Sequence, residues 1–233
     1  FDTPNENLNR LLQSILSNSS IPRVRISSLQ PQIIDEDLIN LWENQRLCPH
    51  FHIPLQSGSD KLLERMRRRY DTSMFMKKVN LIRDLIPRVS ITTDIIVGFP
   101  GESDTDFQYT YDLCQEIGFA HTHIFPYSNR PGTSAAHFDN NIQPLVKRER
   151  VDKLMELAKK NEDAYRDSLV GQIRPVLWEN YRQQNGQYVW TGLTDNYLRV
   201  NTTNNGNLHN EILETLFVKD PEGNLYGELQ LEI

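Results

Sequence analysis

Cysteine is scarce in this sequence: Cys48 and Cys114 are the only two, and they form no CxxC pair. Two isolated cysteines provide neither a disulfide framework nor a cysteine metal site, and they indicate a reducing compartment. No apolar run approaches the roughly 20 residues that a membrane span requires. Phe1 to Arg10 also lacks the charged start and apolar stretch of a secretory signal. We therefore expect a soluble, cytoplasmic protein without a membrane partner, and a first residue other than methionine predicts a fragment of a longer one.

Positive charge is in deficit as well, since 25 lysines and arginines face 31 aspartates and glutamates, which gives a net charge of −6. Such a balance argues against a surface that coats nucleic acid generally, so any RNA site must be local. The hydrophobic fraction of 38% excludes a disordered or collagen-like chain. A length of 233 residues predicts one sizeable domain and a small one.

The first part of the chain alternates segments of strand character with segments of helical character. The repeat is close to the βαβ unit of about 30 residues, which favours parallel strands joined by right-handed crossovers. Four such units are about half of a (β/α)8 barrel, so the predicted fold class is α/β with a partial TIM-type barrel. The strand segments are 23–31, 50–57, 89–99 and 120–128, and the helical segments begin at Asp35, Asp60, Ser73 and Ser103.

A long helix and a small barrel are predicted to follow. Apolar residues from Pro144 to Leu169 fit one face of a single helix. Beyond Gly171, short strands alternate with turn signals such as Asn185-Gly186, which indicates a small all-β barrel. We therefore divide the chain into residues 1–143, 144–169 and 170–233.

Polar residues at the carboxyl ends of the predicted strands are the candidates for chemistry, because barrels of this kind place their sites there. Asp94 lies within an apolar strand, so its carboxylate must pair or bind a ligand if it faces the barrel interior. The loop GFPGE, Gly98 to Glu102, lacks the spacing of a phosphate-binding loop and favours a tight turn.

Two HxH pairs, His50 with His52 and His121 with His123, place imidazoles on one face of a strand. That spacing suits metal ligands as well as residues that line a barrel, and Asp94 is the one further ligand that the pattern offers. We favour structural lining and assign no metal ligand, and a metal-dependent hydrolase remains an alternative.

Three motifs, in this order and spacing, carry a family resemblance: HIPLQSGSDKLLERMRRRY at 52–70, TTDIIVGFPGE at 92–102 and FPYSNRPGT at 125–133. Together they closely resemble the methylthiotransferase branch of the radical S-adenosylmethionine (SAM) enzymes. The final barrel resembles the OB-like TRAM domain that closes these enzymes. TDNYLRV at 194–200 and LCPHFHIPLQSGSD at 47–60 resemble the subgroup that acts on N6-threonylcarbamoyladenosine in tRNA. The ribosomal-protein S12 and isopentenyladenosine branches are next closest.

The resemblance implies SAM and 4Fe-4S clusters as cofactors, and an adenosine in the tRNA anticodon loop as the target. Gln56 would hydrogen-bond the SAM ribose, Arg68 would pair with its carboxylate, and Asp94 would face the ribose. The family usually has glutamate where this chain has Gln30, so that contact is expected to be weaker. The full set of SAM-binding residues that the resemblance implies is Ser28, Gln30, Gln56, Ser57, Arg68, Asp94, Ile96, Gly98, Phe125 and Tyr127.

The cluster-binding CxxxCxxC loop of the family has no counterpart in this chain, although three thiolates are needed to hold the cluster. We therefore expect the C-terminal part of a longer enzyme, inactive by itself. A non-catalytic RNA-binding fragment is a further alternative. The segment after Gly171 is more acidic than basic, which argues against strong phosphate binding by that barrel alone, and most of its aromatic residues are expected inside the barrel.

Overall fold

The computed structural model describes residues 7–139, 141–184 and 186–230, in which helices and strands alternate before a run of strands. No helix within these ranges combines the length and the apolar character that crossing a membrane requires. In chain order the elements are α1 (Leu8–Asn18), α2 (Glu36–Ile39), β1 (His50–His52), α3 (Asp60–Arg65), α4 (Thr72–Leu85), β2 (Ser90–Val97), α5 (Asp104–Ile117), β3 (His121–Pro126), α6 (Pro144–Asp167), β4 (Ile173–Gln184), β5 (Gln187–Thr194), β6 (Arg199–Thr203), β7 (Glu211–Lys219) and β8 (Leu225–Leu229).

Strands β1, β2 and β3 form one parallel sheet in that order, as the strand–helix alternation predicts for a partial TIM-type barrel. The predicted strand at 23–31 is reduced to two isolated bridges, Val24 to Leu47 and Ser28 to His52. Its neighbour β1 is only three residues long, because Pro49 and Pro54 on either side have no N–H group to donate to a ladder. The expectation of four full strands was therefore wrong for the first one.

One face of this sheet is covered by helices. Phe51, Ile91 and Ile95 point into the covered side and are at most 2% exposed. They belong to one apolar cluster with residues of α3, α4, α5 and α6, among them Leu63, Val79, Phe107 and Leu154. Because side chains alternate along a strand, the residues between them point to the opposite face, where the polar side chains lie.

Helix α5 begins where the sequence predicts it. The Ser103 hydroxyl accepts from the Asp106 N–H, and the Asp106 carboxylate accepts from the Ser103 N–H, which makes a capping box. The same carboxylate accepts from Lys61 Nζ at 2.9 Å and from Ser59 Oγ at 2.7 Å. One buried aspartate thus joins the start of α5 to the start of α3, directly behind the carboxyl ends of the strands.

Residues 170–230 form a second sheet that closes on itself, apart from Asn185, which lies outside the described residues. The strand order is β4-β5-β6-β8-β7, with β7 paired back to β4. Trp178 fills the centre at 0% exposure, and a Cβ added to Gly192 would lie 2.6 Å from its ring, so only glycine fits there. The predicted small barrel is confirmed, and its identity as a TRAM domain stays a prediction.

Side-chain hydrogen bonds join the small barrel to the parallel sheet domain. The Arg23 guanidinium donates to the carbonyls of Leu193 at 2.8 Å and Pro175 at 3.0 Å. Asn196 Nδ2 donates to the Tyr165 hydroxyl of α6 at 2.7 Å. These part-buried bonds attach the barrel to the segment before β1 and to α6.

Candidate functional site

A cavity of about 510 Å³ lies against the polar face of the parallel sheet. Each of its three strands contributes side chains two residues apart, as the period of a strand requires. Extended segments at 25–28 and the β5–β6 turn supply the remaining wall. The lining residues are Arg25, Ser27, Ser28, His50, His52, Thr92, Asp94, His121, His123, Phe125 and Tyr197.

A continuous chain of hydrogen bonds runs across this wall. Arg25 Nη1 lies 3.3 Å from His50 Nδ1, His50 Nε2 lies 3.1 Å from Thr92 Oγ1, and Thr92 Oγ1 lies 3.0 Å from His52 Nδ1. The chain ends where His52 Nε2 lies 3.2 Å from Asp94 Oδ2. Because a guanidinium can only donate, neutral His50 accepts at Nδ1 and donates from Nε2. The threonine hydroxyl then donates to His52, and His52 donates to Asp94.

Two imidazoles of the cavity have lowered pKa values. Burial, reinforced by the charges of Arg25 and His52, lowers the pKa of His50 to about 3. Burial and the neighbouring His121 lower the pKa of His123, although Asp94 opposes this effect. Both rings are therefore neutral at pH 7. Both nitrogens of His50 are engaged, with Arg25 and with Thr92, whereas His123 has a nitrogen available to accept a proton or a ligand bond.

Gln56 marks the carboxyl end of β1 with an unusual backbone. Its φ is +67°, in the left-handed region that a non-glycine residue rarely adopts. The strained residue is held by two bonds to β2: its N–H donates to the Asp94 carbonyl at 2.8 Å, and its carbonyl accepts from Ile96 at 2.9 Å. Within the described part of the chain, the side-chain amide has no hydrogen-bond partner. Strain that persists at the end of a barrel strand is typical of a binding position.

The GFPGE loop is a tight turn whose geometry demands glycine. Gly98 has a φ of +77°, and a Cβ there would lie 2.4 Å from Lys147 Cγ. Its N–H donates to Glu102 Oε2 at 2.9 Å, and Arg150 Nη1 donates to the same oxygen at 2.7 Å. Burial raises the pKa of Glu102, while these two donors work against the rise. The turn is thus fixed by a buried ion pair.

Two buried polar atoms outside the small barrel lie unpartnered. Among the described residues, Arg68 Nε and the Tyr127 hydroxyl have no hydrogen-bond partner, and the third such atom, Trp178 Nε1, belongs to the small barrel. An unpaired buried donor costs about 1 to 3 kcal/mol, so such groups call for a ligand or water. Both Arg68 and Tyr127 belong to the SAM-binding set that the family resemblance implies.

The predicted SAM-binding residues fall into three groups. Ser28, Asp94 and Phe125 line the cavity. Ser57 and Gln30 are engaged elsewhere: the Ser57 hydroxyl lies 3.3 Å from Thr110 Oγ1, and exposed Gln30 accepts from Gln32. The third group consists of Gln56, Ile96, Gly98 and Tyr127, which lie at or directly after the carboxyl ends of the same strands, and of Arg68, which follows α3.

Sequence reasoning missed three members of the cavity wall: Arg25, Thr92 and Tyr197. The Arg25 guanidinium carbon lies 3.7 Å from the centre of the Tyr197 ring, which is itself 4.8 Å from the His50 ring. Alternation along β2 could have identified Thr92, since it shares a face with Asp94. Arg25 and Tyr197 lie outside regular strands, so no periodic signal marks them.

A larger groove of about 1360 Å³ separates α6 and β3 from the small barrel, but none of the ten predicted SAM-binding residues lines it. Its charges are largely paired, as in Lys219 with Asp167 at 2.8 Å and Arg166 with Glu162 at 2.9 Å. A hydrogen bond from His121, together with Arg166, lowers the pKa of Glu162 to about 2. We therefore assign the chemistry to the smaller cavity.

The two cysteines are buried and free. Burial raises the pKa of Cys48, and it raises that of Cys114 to about 12. Iron–sulfur clusters are held by thiolates, which these environments disfavour. Neither cysteine fits a cluster ligand.

Comparison with known proteins relates this chain to the radical SAM enzymes. Residues 3–114 match the model of the radical SAM superfamily. The chain is also similar in fold to coproporphyrinogen III oxidase (HemN) from Escherichia coli, a radical SAM enzyme, with a TM-score of 0.54 at 14% identity, over 81% of this chain and 50% of that one.

Curated relatives indicate which branch of the radical SAM superfamily this chain resembles. Threonylcarbamoyladenosine tRNA methylthiotransferase MtaB of Thermotoga maritima is 46% identical over 160 residues, which cover 68% of this chain and 37% of that protein. MtaB of Bacillus subtilis is 35% identical over 85% of this chain and 45% of its own length. The tRNA-2-methylthio-N(6)-dimethylallyladenosine synthase of Natranaerobius thermophilus is 34% identical over 97% of this chain and 50% of its own length.

The chain thus spans half or less of the length of these three relatives. All three are named as enzymes that place a methylthio group on tRNA or its modified adenosine. Together with the superfamily match, they show that the chain belongs to the radical SAM methylthiotransferase family.

Proposed function

We propose that this chain is part of a cytoplasmic tRNA methylthiotransferase that adds a methylthio group to C2 of N6-threonylcarbamoyladenosine in the anticodon loop, and that its cavity and strand ends form part of the SAM pocket. The observation that carries the proposal is the 46% identity to the Thermotoga maritima enzyme named for that nucleoside. Dimethylallyladenosine is the runner-up substrate, supported by 34% identity over nearly the whole chain.

Family membership implies SAM and a 4Fe-4S cluster as cofactors. The residues at the strand ends fit SAM in their chemistry. Arg68 has a buried, unpartnered Nε, and a carboxylate is the partner that best satisfies a buried guanidinium. The Tyr127 hydroxyl and the Gln56 amide, which have no hydrogen-bond partner in the described part of the chain, add groups able to bind hydroxyls or ring nitrogens.

The remaining residues shape the pocket around the cofactor. Half-buried Ile96 and exposed Phe125 are neighbours across β2 and β3 and offer apolar contact to an adenine ring. Gly98 lets the backbone turn close to the ligand, where any side chain would strike Lys147. When bound, SAM supplies the radical chemistry of the family, while the protein binds and orients it.

The 4Fe-4S cluster does not fit the cysteines of this chain, because both are buried in environments that favour the neutral thiol. We therefore assign no step of the reaction to Cys48 or Cys114. The proposal requires cluster ligands outside these 233 residues, and the chain by itself is proposed to be inactive.

The small barrel is proposed to be TRAM-like and to contact tRNA through its exposed aromatic rings. Tyr181 is 58% exposed, Tyr188 is 36% exposed, and their ring centres lie 5.0 Å apart. Paired rings on a surface provide faces on which unpaired bases stack, at about 1 to 3 kcal/mol per base. Such contacts need little positive charge, in keeping with the acidic composition of this segment.

Mass spectrometry of tRNA nucleosides tests the substrate assignment. The gene that encodes this chain is expressed in a strain that lacks its own methylthiotransferases for modified adenosines. The proposal expects 2-methylthio-N6-threonylcarbamoyladenosine to appear while the dimethylallyl product stays absent. The reverse pattern would transfer the assignment to the runner-up substrate, and the absence of both products would overturn the proposal.

A further inference from the structure

Three side chains on the polar face of the parallel sheet meet in a way that the SAM pocket does not require. His52 of β1, Asp94 of β2 and His123 of β3 each present a ligand atom, and these atoms all lie within 4.8 Å of one another. Each residue comes from a different, directly paired strand. The sheet therefore presents two imidazoles and one carboxylate on one side of a common point.

The spacing is close to that of a metal site. Bonds of about 2.0 to 2.1 Å to a tetrahedral ion hold its ligand atoms about 3.3 Å apart. His52 Nε2 and Asp94 Oδ2 are already 3.2 Å apart. His123 must approach by a small side-chain rotation, and it is exposed and has no hydrogen-bond partner among the described residues. The third ligand is thus free to move.

The neighbours of His52 orient it for this role. Thr92 Oγ1 lies 3.0 Å from its Nδ1, so Nε2 is directed toward Asp94. A hydrogen-bonded partner on the second nitrogen is the usual support of a ligating histidine. Metal binding at Nε2 requires the other tautomer of neutral His52, in which its single ring proton has moved from Nε2 to Nδ1. Nδ1 then donates to Thr92 Oγ1, and the threonine hydroxyl accepts this bond instead of donating it.

We propose that His52, Asp94 and His123 bind one divalent transition-metal ion, such as zinc, cobalt or iron(II), in the cavity. Two imidazoles and a carboxylate select these ions over magnesium and calcium, which prefer oxygen ligands. All three ligands come from the sheet, so the side of the ion that faces the cavity stays open to water or to a ligand.

The site does not depend on the proposed methylthio transfer, but the two share Asp94, which is also a proposed SAM contact. His123 is outside the proposed SAM set, and Arg68 is outside the metal set. Variants of these two residues therefore separate the claims: Arg68→Ala keeps metal binding, and His123→Ala keeps SAM binding in the complete enzyme.

The test is a titration of the untagged 233-residue chain, stripped with a chelator, with zinc by calorimetry and with cobalt(II) by visible absorption. We expect one ion per chain and a cobalt spectrum of a four- or five-coordinate site. His123→Ala should weaken binding at least tenfold, and Thr92→Val roughly tenfold through the orientation of His52. His209→Ala, an imidazole on the small barrel, should change nothing.

Circular dichroism of each variant confirms that it is folded, and His123 is the safest ligand to replace because it is exposed. If His52→Ala fails to fold, His123→Ala and Thr92→Val still decide the matter. Absence of saturable binding in the native chain, or equal affinity in His123→Ala and the native chain, would reduce the cluster to a hydrogen-bonded lining and overturn the proposal.

Discussion

His52 and Asp94 meet across two parallel strands, with Nε2 of the imidazole 3.2 Å from Oδ2 of the carboxylate, although 42 positions separate them in the chain. The contact is diagonal, since His52 lies opposite Thr92 and Asp94 lies opposite His123 in the strand registers. This contact connects the hydrogen-bond chain that begins at Arg25 to Asp94. Asp94 faces both the proposed cofactor and the proposed metal ion.

Tyr197 is predicted to control the environment of His50. Its ring covers the imidazole, whose pKa burial lowers to about 3. In Tyr197→Ala the imidazole gains water, so the pKa of His50 should rise toward its ordinary value of 6.5. An NMR titration of the ring protons measures this directly. Tyr109→Ala, which removes a mostly exposed ring from α5, serves as the control, and an unchanged His50 in Tyr197→Ala would refute the prediction.

Gly98→Ala is predicted to destabilise the protein more than Gly118→Ala. Both glycines have a positive φ, which costs an alanine about 1 to 2 kcal/mol. Only at Gly98 does the new methyl group strike a neighbour, Lys147, which donates to the Tyr127 carbonyl at 3.3 Å. Urea unfolding of the two variants measures the difference. Equal losses would mean that Lys147 moves aside freely.

Asp106 is predicted to stabilise the fold in a pH-dependent manner. Burial alone would raise its pKa, but hydrogen bonds from Ser103, Lys61 and Ser59 prevail and lower it. A carboxylate with a lowered pKa contributes stability above its unfolded value near 3.8, and the contribution disappears as the pH falls through the folded pKa.

The Asp106→Ala variant should therefore lose roughly 1 to 2 kcal/mol at pH 7 through its cap and ion pair. The deficit relative to the native protein should shrink below about pH 4. Urea unfolding at several pH values tests both statements, with Asp112→Ala, an exposed position on α5, as the control. A deficit independent of pH would show that the charge of Asp106 is not what stabilises the fold.

The sequence predicted the regular parts of the site and missed what depends on irregular segments. Period-two alternation placed both HxH pairs on one face, and the Ser103 capping signal gave the start of α5. Helix α1 was not anticipated, although Leu8, Leu12 and Ile15 recur at helical spacing after the Asn7 cap. The wall at Arg25 and Tyr197 requires long-range packing that no local pattern encodes.

The identification of Arg68 has a different origin. Its position in a run of arginines favours a solvated face, and only the family resemblance distinguished it from its neighbours. The structure adds that its Nε is buried and unpartnered, whereas Arg69 is exposed. Arg68 is half-buried because α3 ends at Arg65 and the chain turns there, whereas Arg67 and Arg69 are exposed.

The most direct test of the account compares Arg68→Ala with Arg69→Ala in the protein encoded by the complete gene, with SAM affinity measured by equilibrium dialysis and product by nucleoside mass spectrometry. Arg68→Ala should bind SAM at least tenfold more weakly, because a buried charged pair contributes about 1.5 to 3 kcal/mol, and should yield little 2-methylthio-N6-threonylcarbamoyladenosine. Arg69→Ala should match the native protein in both measurements. Native SAM affinity and native product in Arg68→Ala would contradict the account.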